Sequence, residues 1–482
     1  MKRPHPLGLL ALGSLLSACS LAPTYERPSA PAGSEQFQDG DWKTAQPADS
    51  APRGDWWTLY GDTQLNALEA KVARNNQNLK AAVARLEQAR ADVRANRSGY
   101  LPSIGAQASS NRIRQSSNKA LFSASAPQTY TDNVLSADFS YELDLWGRVH
   151  NLVSASQSRS QASAADLATL ELSLRAELAS DYFALRGYDK IQTILEQTVE
   201  TYGKALTLTQ NRYQGGAAAE ADVAQAQVQL ETAKTQAADI RIKRRQLEHA
   251  IAVLIGESAS TFTLAPQAQV LTPPAVNPGL PSQLLERRPD VAAAERRVAA
   301  ANADIGVARA AYFPVFSLGA SSGFESGKFG NWLEAPSRLW SFGPSAALTL
   351  FDGGKRHALS DEAHAAYDEA VADYRQSVLV AYQEVEDSLT ALHELSQEGQ
   401  TQDAALAAAQ HALTQANYRY KGGIASYLDV VVAQNAALQA QLAATDITTR
   451  RMTASISLVK ALGGGWAANT ADSSATPANN AR

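Results

Sequence analysis

The chain has 482 residues and a net charge of −5, with 7% aromatic and 19% charged residues. Its Lys and Arg residues are scattered among acids and form no basic stripe, which argues against a nucleic-acid partner. Ala, Gln and Leu dominate long stretches, a helix-rich composition, and the length would hold two or three ordinary domains.

Lys2 and Arg3 form a positive region ahead of an apolar run from Leu7 to Leu16. The run is too short to span a bilayer as a permanent helix, so residues 1–18 read as a signal peptide that is removed. It ends Leu16-Ser17-Ala18-Cys19, the lipobox pattern of bacterial lipoproteins, in which the cysteine is acylated and becomes the mature N-terminus. Cys19 is the sole cysteine. A free or buried thiol is the other reading of it, but its place directly after the small residues of a signal peptide favours lipid attachment. Ser20 follows, and the absence of Asp there points to sorting to the outer membrane. Three acyl chains, palmitate among them, would anchor the protein stably in outer-membrane lipid.

Residues 19–60 are rich in Pro, Ser, Ala and Gly and predict an extended tether, whose end, Trp56-Trp57-Thr58-Leu59-Tyr60, docks on the body. A first repeat spans 61–256. It opens with a helix from roughly Leu65 to Arg97 that stops before Pro102, followed by strands near Ser103 to Arg114 and from Leu135 to Leu145. In the second strand every other residue is apolar and the intervening ones are polar or acidic. A helix from about Val149 to Tyr213 comes next, on the order of 95 to 100 Å long if continuous. Leu167, Leu170, Leu174, Leu178, Tyr182 and Leu185, then Leu195, Val199, Tyr202 and Leu206, keep the alternating spacing of three and four of a coiled-coil-like seam. Gly215-Gly216 can supply the positive φ of a tight turn, after which a helix returns from about Ala219 to Ile255.

A Pro-rich segment, 257–282, joins this to a second repeat at 283–465. The same order recurs there: a helix from Pro289 to Ala310, strands at Val315 to Phe324 and Ser345 to Phe351, and a helix from about Lys355 to Tyr420. The turn Gly422-Gly423 and a helix from Ser426 to Leu462 complete it. Residues 466–482 form a polar tail. The two repeats match residue for residue in places. Ala91-Asp92-Val93 and Tyr100-Leu101-Pro102 recur as Ala303-Asp304-Ile305 and Tyr312-Phe313-Pro314, and Arg212-Tyr213-Gln214-Gly215-Gly216 recurs as Arg419-Tyr420-Lys421-Gly422-Gly423. Asp222-Val223 and Asp429-Val430 follow at equal separation. A unit of about 200 residues is too long for a solenoid repeat and is a duplicated domain.

Two hairpins give four strands, and a four-stranded sheet that is apolar on one face leaves edges that lipid does not tolerate. Three chains would close a barrel of twelve strands, with Asp138, Glu142 and Asp144 toward water and Leu135, Phe139, Tyr141 and Leu143 toward lipid. A half-buried soluble strand carries the same periodicity, so that reading stays open at this stage.

For catalysis the sequence offers little: seven His residues with no HExxH, no phosphate loop and no nucleophile elbow. His357 and His364 lie about two helical turns apart, a spacing that fits a solvated face better than a metal site. No enzyme activity, cofactor or metal is expected.

The lipobox, the duplicated unit, Arg287-Arg288-Pro289-Asp290 leading into Ala300-Ala301-Asn302-Ala303-Asp304-Ile305-Gly306, and Leu145-Trp146-Gly147-Arg148 resemble the outer membrane factor family of TolC-like and NodT-type lipoproteins. The resemblance covers about Tyr25 to Trp466. It implies a mainly α chain with a transmembrane β-barrel portion: a homotrimer with a 12-stranded barrel on a periplasmic α-helical barrel. The implied function is the passive exit duct of a tripartite efflux pump associated with antibiotic resistance, joined through a periplasmic adaptor to an inner-membrane transporter of the resistance-nodulation-division (RND) type. A protein-secretion channel and a periplasmic coiled-coil or adaptor lipoprotein are the alternatives. The resemblance also implies a periplasmic gate at the hairpin tips, with Asp429 at the family's acidic ring position, Asp222 as its counterpart, and Tyr420 and Tyr213 beside the glycine pairs. Carboxylates gathered on a threefold axis repel and tend to bind cations or protons. Ser426-Tyr427-Leu428-Asp429 equally reads as a capping box.

Overall fold

The computed structural model describes residues 20–29, 31, 54–118, 120, 123, 125, 127–267, 272–274 and 288–464. The signal peptide, Cys19, residues 32–53 of the tether, residues 275–287 and the polar tail lie outside the described residues. Packing divides the described residues into two compact units, one within 1–29, 85–163 and 293–374, the other within 30–84, 164–292 and 375–482.

The elements in chain order are α1 (Thr63–Asn75), α2 (Gln77–Arg97), β1 (Ser103–Arg114), β2 (Thr129–Leu143), α3 (Arg148–Gln214), α4 (Glu220–Leu254), α5 (Pro289–Ala310), β3 (Val315–Ser326), β4 (Arg338–Ala347), α6 (Lys355–Lys421) and α7 (Tyr427–Ala461). The helix expected from Leu65 to Arg97 is broken at Asn76. That side chain accepts from Leu79 N to cap α2 and donates to Leu254 O at the end of α4. The long helices α3 and α6 have 67 residues each and their return helices 35 each.

In the first unit the strands form one antiparallel sheet in the order β1-β2-β3-β4. Register sorts its faces. Ile104 opposes Phe139, Ala108 opposes Leu135, Tyr141 opposes Leu318 and Ala320 opposes Phe342, all on one face. The other face carries Gln107 opposite Ser136, Asp138 opposite Ser321, Glu142 opposite Ser317, and Gly319 opposite Gly343. The apolar face is uncovered, with Ile104 77%, Trp340 78% and Phe342 66% exposed. β4 runs from Arg338 to Ala347 instead of Ser345 to Phe351, because β3 begins at Val315 opposite Ala347 and offers no partner beyond it. Asp144 also departs from expectation. It lies past the end of β2 and caps α3, accepting from Val149 N and His150 N.

The Leu-Trp-Gly-Arg motif is the strand-to-helix corner. Gly147 has φ 71°, and the Trp146 indole stacks on Phe313 at 4.8 Å and donates to Pro314 O. Residues 20–29 strap across the same unit. Ser20 donates to Asn151, Asn302 to Pro23 O and Tyr25 to Glu295, and the Arg27 guanidinium lies 6.0 Å from the Tyr374 ring centroid. The strap needs Gly306 of the quoted signature. A Cβ there would sit 2.4 Å from Asn151 Nδ2 and 2.7 Å from Ala22 Cβ.

In the second unit the expected seam is internal. Leu174, Leu178, Tyr182, Leu185, Leu195 and Tyr202 are buried, and Leu167, Leu170, Val199 and Leu206 pack beside buried clusters. Trp56 and Trp57 dock, as the sequence suggests, into a core with Leu65, Leu68, Leu178, Tyr182, Ile251 and Met452. Arg288 of the Arg-Arg-Pro-Asp motif pairs with Asp290 at 2.6 Å and Glu384 at 2.5 Å and donates to Ala461 O, tying the start of α5 to α6 and α7.

Candidate functional site

The tips of the two helix hairpins, both in the second unit, hold every residue assigned to the gate. α3 closes with Ala217 N donating to Arg212 O at 2.7 Å and Gly216 N to Tyr213 O at 2.9 Å; α6 closes with Ile424 N to Arg419 O at 2.9 Å and Gly423 N to Tyr420 O at 3.1 Å. This paired bond pattern ends a helix in a left-handed residue. Gly216 and Gly423 supply it, with φ 71° and 73°. Gly215 and Gly422 do not take positive φ, and a Cβ there would make ordinary contacts.

Asp429 is the cap residue that its spacing suggests. Its carboxylate accepts from Ser426 N and Ser426 Oγ, both at 2.9 Å, while Asp429 N donates to Ser426 Oγ at 3.4 Å. Asp222 makes only half of that arrangement, accepting from Ala219 N at 3.1 Å, since Ala219 has no side-chain acceptor. Both stand in the first turn of a helix, where the macrodipole favours negative charge.

The tyrosines diverge. Tyr213 is 46% exposed, whereas Tyr420 is 8% exposed and packs with Tyr427, Val430, Val431 and Ala226. Tyr420 and Tyr427 ring centroids are 5.4 Å apart, and the Arg212 guanidinium from the other hairpin lies 4.6 Å over the Tyr420 ring. Arg212 also donates to Tyr420 O at 3.4 Å. The Tyr420 hydroxyl is buried with no hydrogen-bond partner among the described residues, so the contacts it makes are those of its ring. Tyr427, which was not among the residues assigned to the gate, is only 4% exposed. Burial, with Tyr420, Tyr202 and Asp222 nearby, pushes its phenol up to about 12. In the sequence the signal for Tyr427 is its place directly after the Ser426 cap, at the first position of α7.

Among the described residues, no group of three His, Cys, Asp or Glu residues could hold a metal ion, and no helix is long and apolar enough to cross a membrane.

The model of the outer membrane efflux protein family matches residues 69–257 and 280–464. The chain belongs to the outer membrane efflux protein family. This efflux protein is 33% identical to the outer membrane protein OprJ of Pseudomonas aeruginosa over 97% of both chains. It is 31% identical to the probable efflux pump outer membrane protein TtgC of Pseudomonas putida over 95% of each. Its fold matches the Campylobacter jejuni CmeC outer membrane channel at a TM-score of 0.88, with 25% identity over 94% of this chain and 96% of that one. The family, the TolC-like fold and the outer-membrane location implied by the sequence resemblance all hold. The two-faced sheet thus belongs to an outer-membrane channel, and the half-buried soluble strand is set aside.

Proposed function

We infer that this efflux protein is the passive exit duct of a tripartite pump, assembling as a homotrimer in the outer membrane and carrying small toxic molecules out of the periplasm. The observation that carries this reading is the sheet. One face is apolar and exposed, the other is lined with Ser, Gly, Asp and Glu, and β1 and β4 each have one neighbour among the described residues. In lipid an unpaired strand edge is unstable, so β4 of one copy pairs with β1 of the next. Three copies of the 4-stranded sheet give twelve strands, with the polar face inward around water. The helix hairpins form the periplasmic duct that receives substrate from an adaptor and an RND-type transporter. Cys19 carries the lipid, and the strap of residues 20–29 holds the start of the mature chain against α5.

The hairpin tips close the duct at rest. Asp429 and Asp222 place carboxylates there, Gly215, Gly216, Gly422 and Gly423 form the turns, and the Tyr420 ring is clamped by Arg212 and Tyr427, with Tyr213 exposed at the same tip. Single-channel conductance of the purified protein in planar bilayers tests this. Asp429→Asn keeps a capping oxygen and removes the charge, so it is expected to abolish cation block at a stability cost of no more than about 1 kcal/mol. Tyr420→Ala is expected to raise conductance, and Tyr420→Phe to change nothing, because the hydroxyl has no partner among the described residues. Unchanged conductance and block in both Asp429→Asn and Tyr420→Ala would overturn the gate assignment. Absence of a heat-modifiable trimer on unboiled gels would overturn the assembly.

A further inference from the structure

A cleft of about 290 Å³ lies in the second unit beside the 3-10 turn Trp56–Tyr60, far in sequence from the hairpin tips, and Asp55, Trp57, Asn66, Glu69, Ala73 and Arg175 line it. Glu69 is 0% exposed, yet neither of its carboxylate oxygens has a hydrogen-bond partner among the described residues. Asn66 Oδ1 and Arg175 Nε are buried and unpartnered as well. Leaving buried polar groups unpaired is costly, and leaving a carboxylate so is more costly still. Arg175 does not neutralise Glu69, because its guanidinium bonds Glu171 and lies 4.3 Å over the Trp57 ring.

The imbalance has a sign. With Glu69 ionised, three unpartnered acceptor oxygens stand against one unpartnered donor among the described residues, and Asp55, Glu69 and Glu171 outnumber Arg175. A complementary ligand brings N–H donors and positive charge. A bare metal ion does not fit, since no three candidate ligand residues converge among the described residues.

We propose that this cleft binds a small organic cation, an amidinium or primary ammonium, whose N–H groups fork onto the Glu69 carboxylate and reach Asn66 Oδ1. A planar amidinium matches a carboxylate with two parallel charge-assisted bonds. Trp57 and Ala73 supply the apolar wall that such a ligand's body needs. Binding is linked to a proton. Burial raises the Glu69 carboxyl, Arg175 lowers it, and Asp55 and Glu171 raise it again, to about 9. The group is therefore protonated near pH 7 and gives up its proton when a cation takes the proton's place. Affinity then rises with pH up to about 9.

The test is calorimetric titration of the full-length protein in detergent at pH 7 with benzamidine, in two buffers of different ionisation heat. Benzamide, its neutral isostere, is titrated alongside. The expected result is saturable benzamidine binding with release of about one proton, and binding at least about tenfold weaker for benzamide and for the Glu69→Gln protein. Ala73 is exposed on α1, so Ala73→Phe blocks the cleft while leaving Glu69 in place and is expected to abolish binding. Absence of saturable binding, equal affinity for benzamide, or unchanged affinity in Glu69→Gln would overturn the proposal. If Glu69→Gln does not fold, unchanged affinity in Ala73→Phe overturns it.

Discussion

Arg186 and Asp189 form an ion pair at 2.7 Å, one helical turn apart on α3, with side chains 0% and 1% exposed. Asp189 also accepts from Arg244 of α4 at 2.6 Å and from Gln267 N at 3.0 Å, while Arg186 reaches Ala265 O and Arg244 reaches Leu264 O. The cluster thus pins the segment after α4 onto the helices. Asp189→Asn leaves two buried guanidinium groups short of charge and is expected to destabilise by about 3–5 kcal/mol, measured by denaturation in detergent. Replacing Asp189, Arg186 and Arg244 together by Leu and Met is expected to destabilise as well, because it takes Arg244 from the buried Glu248 and the side-chain donors from Ala265 O and Leu264 O.

Glu248 gives the same cluster an acid limit. Burial pushes its carboxyl up, but the hydrogen bond from Leu264 N, that from Arg245, and the charges of Arg244 and Arg245 outweigh burial and hold it below the usual carboxylate range. Below its ordinary value of about 4.3 the unfolded chain binds a proton that the folded chain resists. The stabilisation is therefore present above that pH and lost as pH falls through the lower folded value. Glu248→Gln is expected to cost roughly 1–3 kcal/mol at pH 7 and progressively less in acid. Melting curves at pH 7 and pH 3.5 check this, and a gap of constant size would contradict it.

Arg288 holds the entry to α5 through two carboxylates and a backbone carbonyl while 6% exposed. Arg288→Ala leaves Ala461 O without this donor and is expected to destabilise by about 2–5 kcal/mol. Arg288→Lys is expected to recover only part of the loss, since an ammonium cannot reproduce a guanidinium fork on three acceptors. Thermal unfolding and proteolysis near residue 288 are the measurements.

Gly323 lies opposite Ser136 where β2 meets β3, the seam that joins the two strand hairpins. A Cβ there would stand 2.0 Å from Leu135 O and 2.7 Å from Ser136 Cα, so backbone must move. Gly323→Ala is expected to cost about 1–3 kcal/mol by overpacking and to lower the yield of heat-modifiable protein in the outer membrane. Gly330→Ala, in the β3–β4 loop with open space around its Cβ position, serves as the control and is expected to be neutral.

Most of the secondary structure was legible because its elements are long and strongly periodic. α3 and α6 lie within a residue of their expected bounds, and the alternation around Phe139 marked a strand with two unlike faces. The break at Asn76 was not legible, because the apolar spacing continues across it and a single amide supplies the cap. β4 was misplaced because Leu348 and Leu350 continue the alternation of Trp340 and Phe342, and only the start of β3 decides where pairing stops. At the hairpin tips, the Ser426–Asp429 spacing foretold the cap, but the clamp of Arg212 on Tyr420 joins residues 208 positions apart and left no local trace. The Glu69 cleft was invisible for a related reason. A lone Glu in a helix reads as surface charge until Trp57 and Arg175 are known to close over it.

The sheet with two unfinished margins has a kinetic consequence. A lone chain cannot satisfy its outermost backbone groups by any rearrangement of its own, so the step that ends the vulnerable period is an encounter between molecules. The rate of that step falls steeply as the chain becomes scarce, whereas capture by proteases does not fall with it. On the trimeric assembly proposed above, expression level therefore sets the fraction of molecules that mature, because a scarce chain waits longer for the copies that cover β1 and β4.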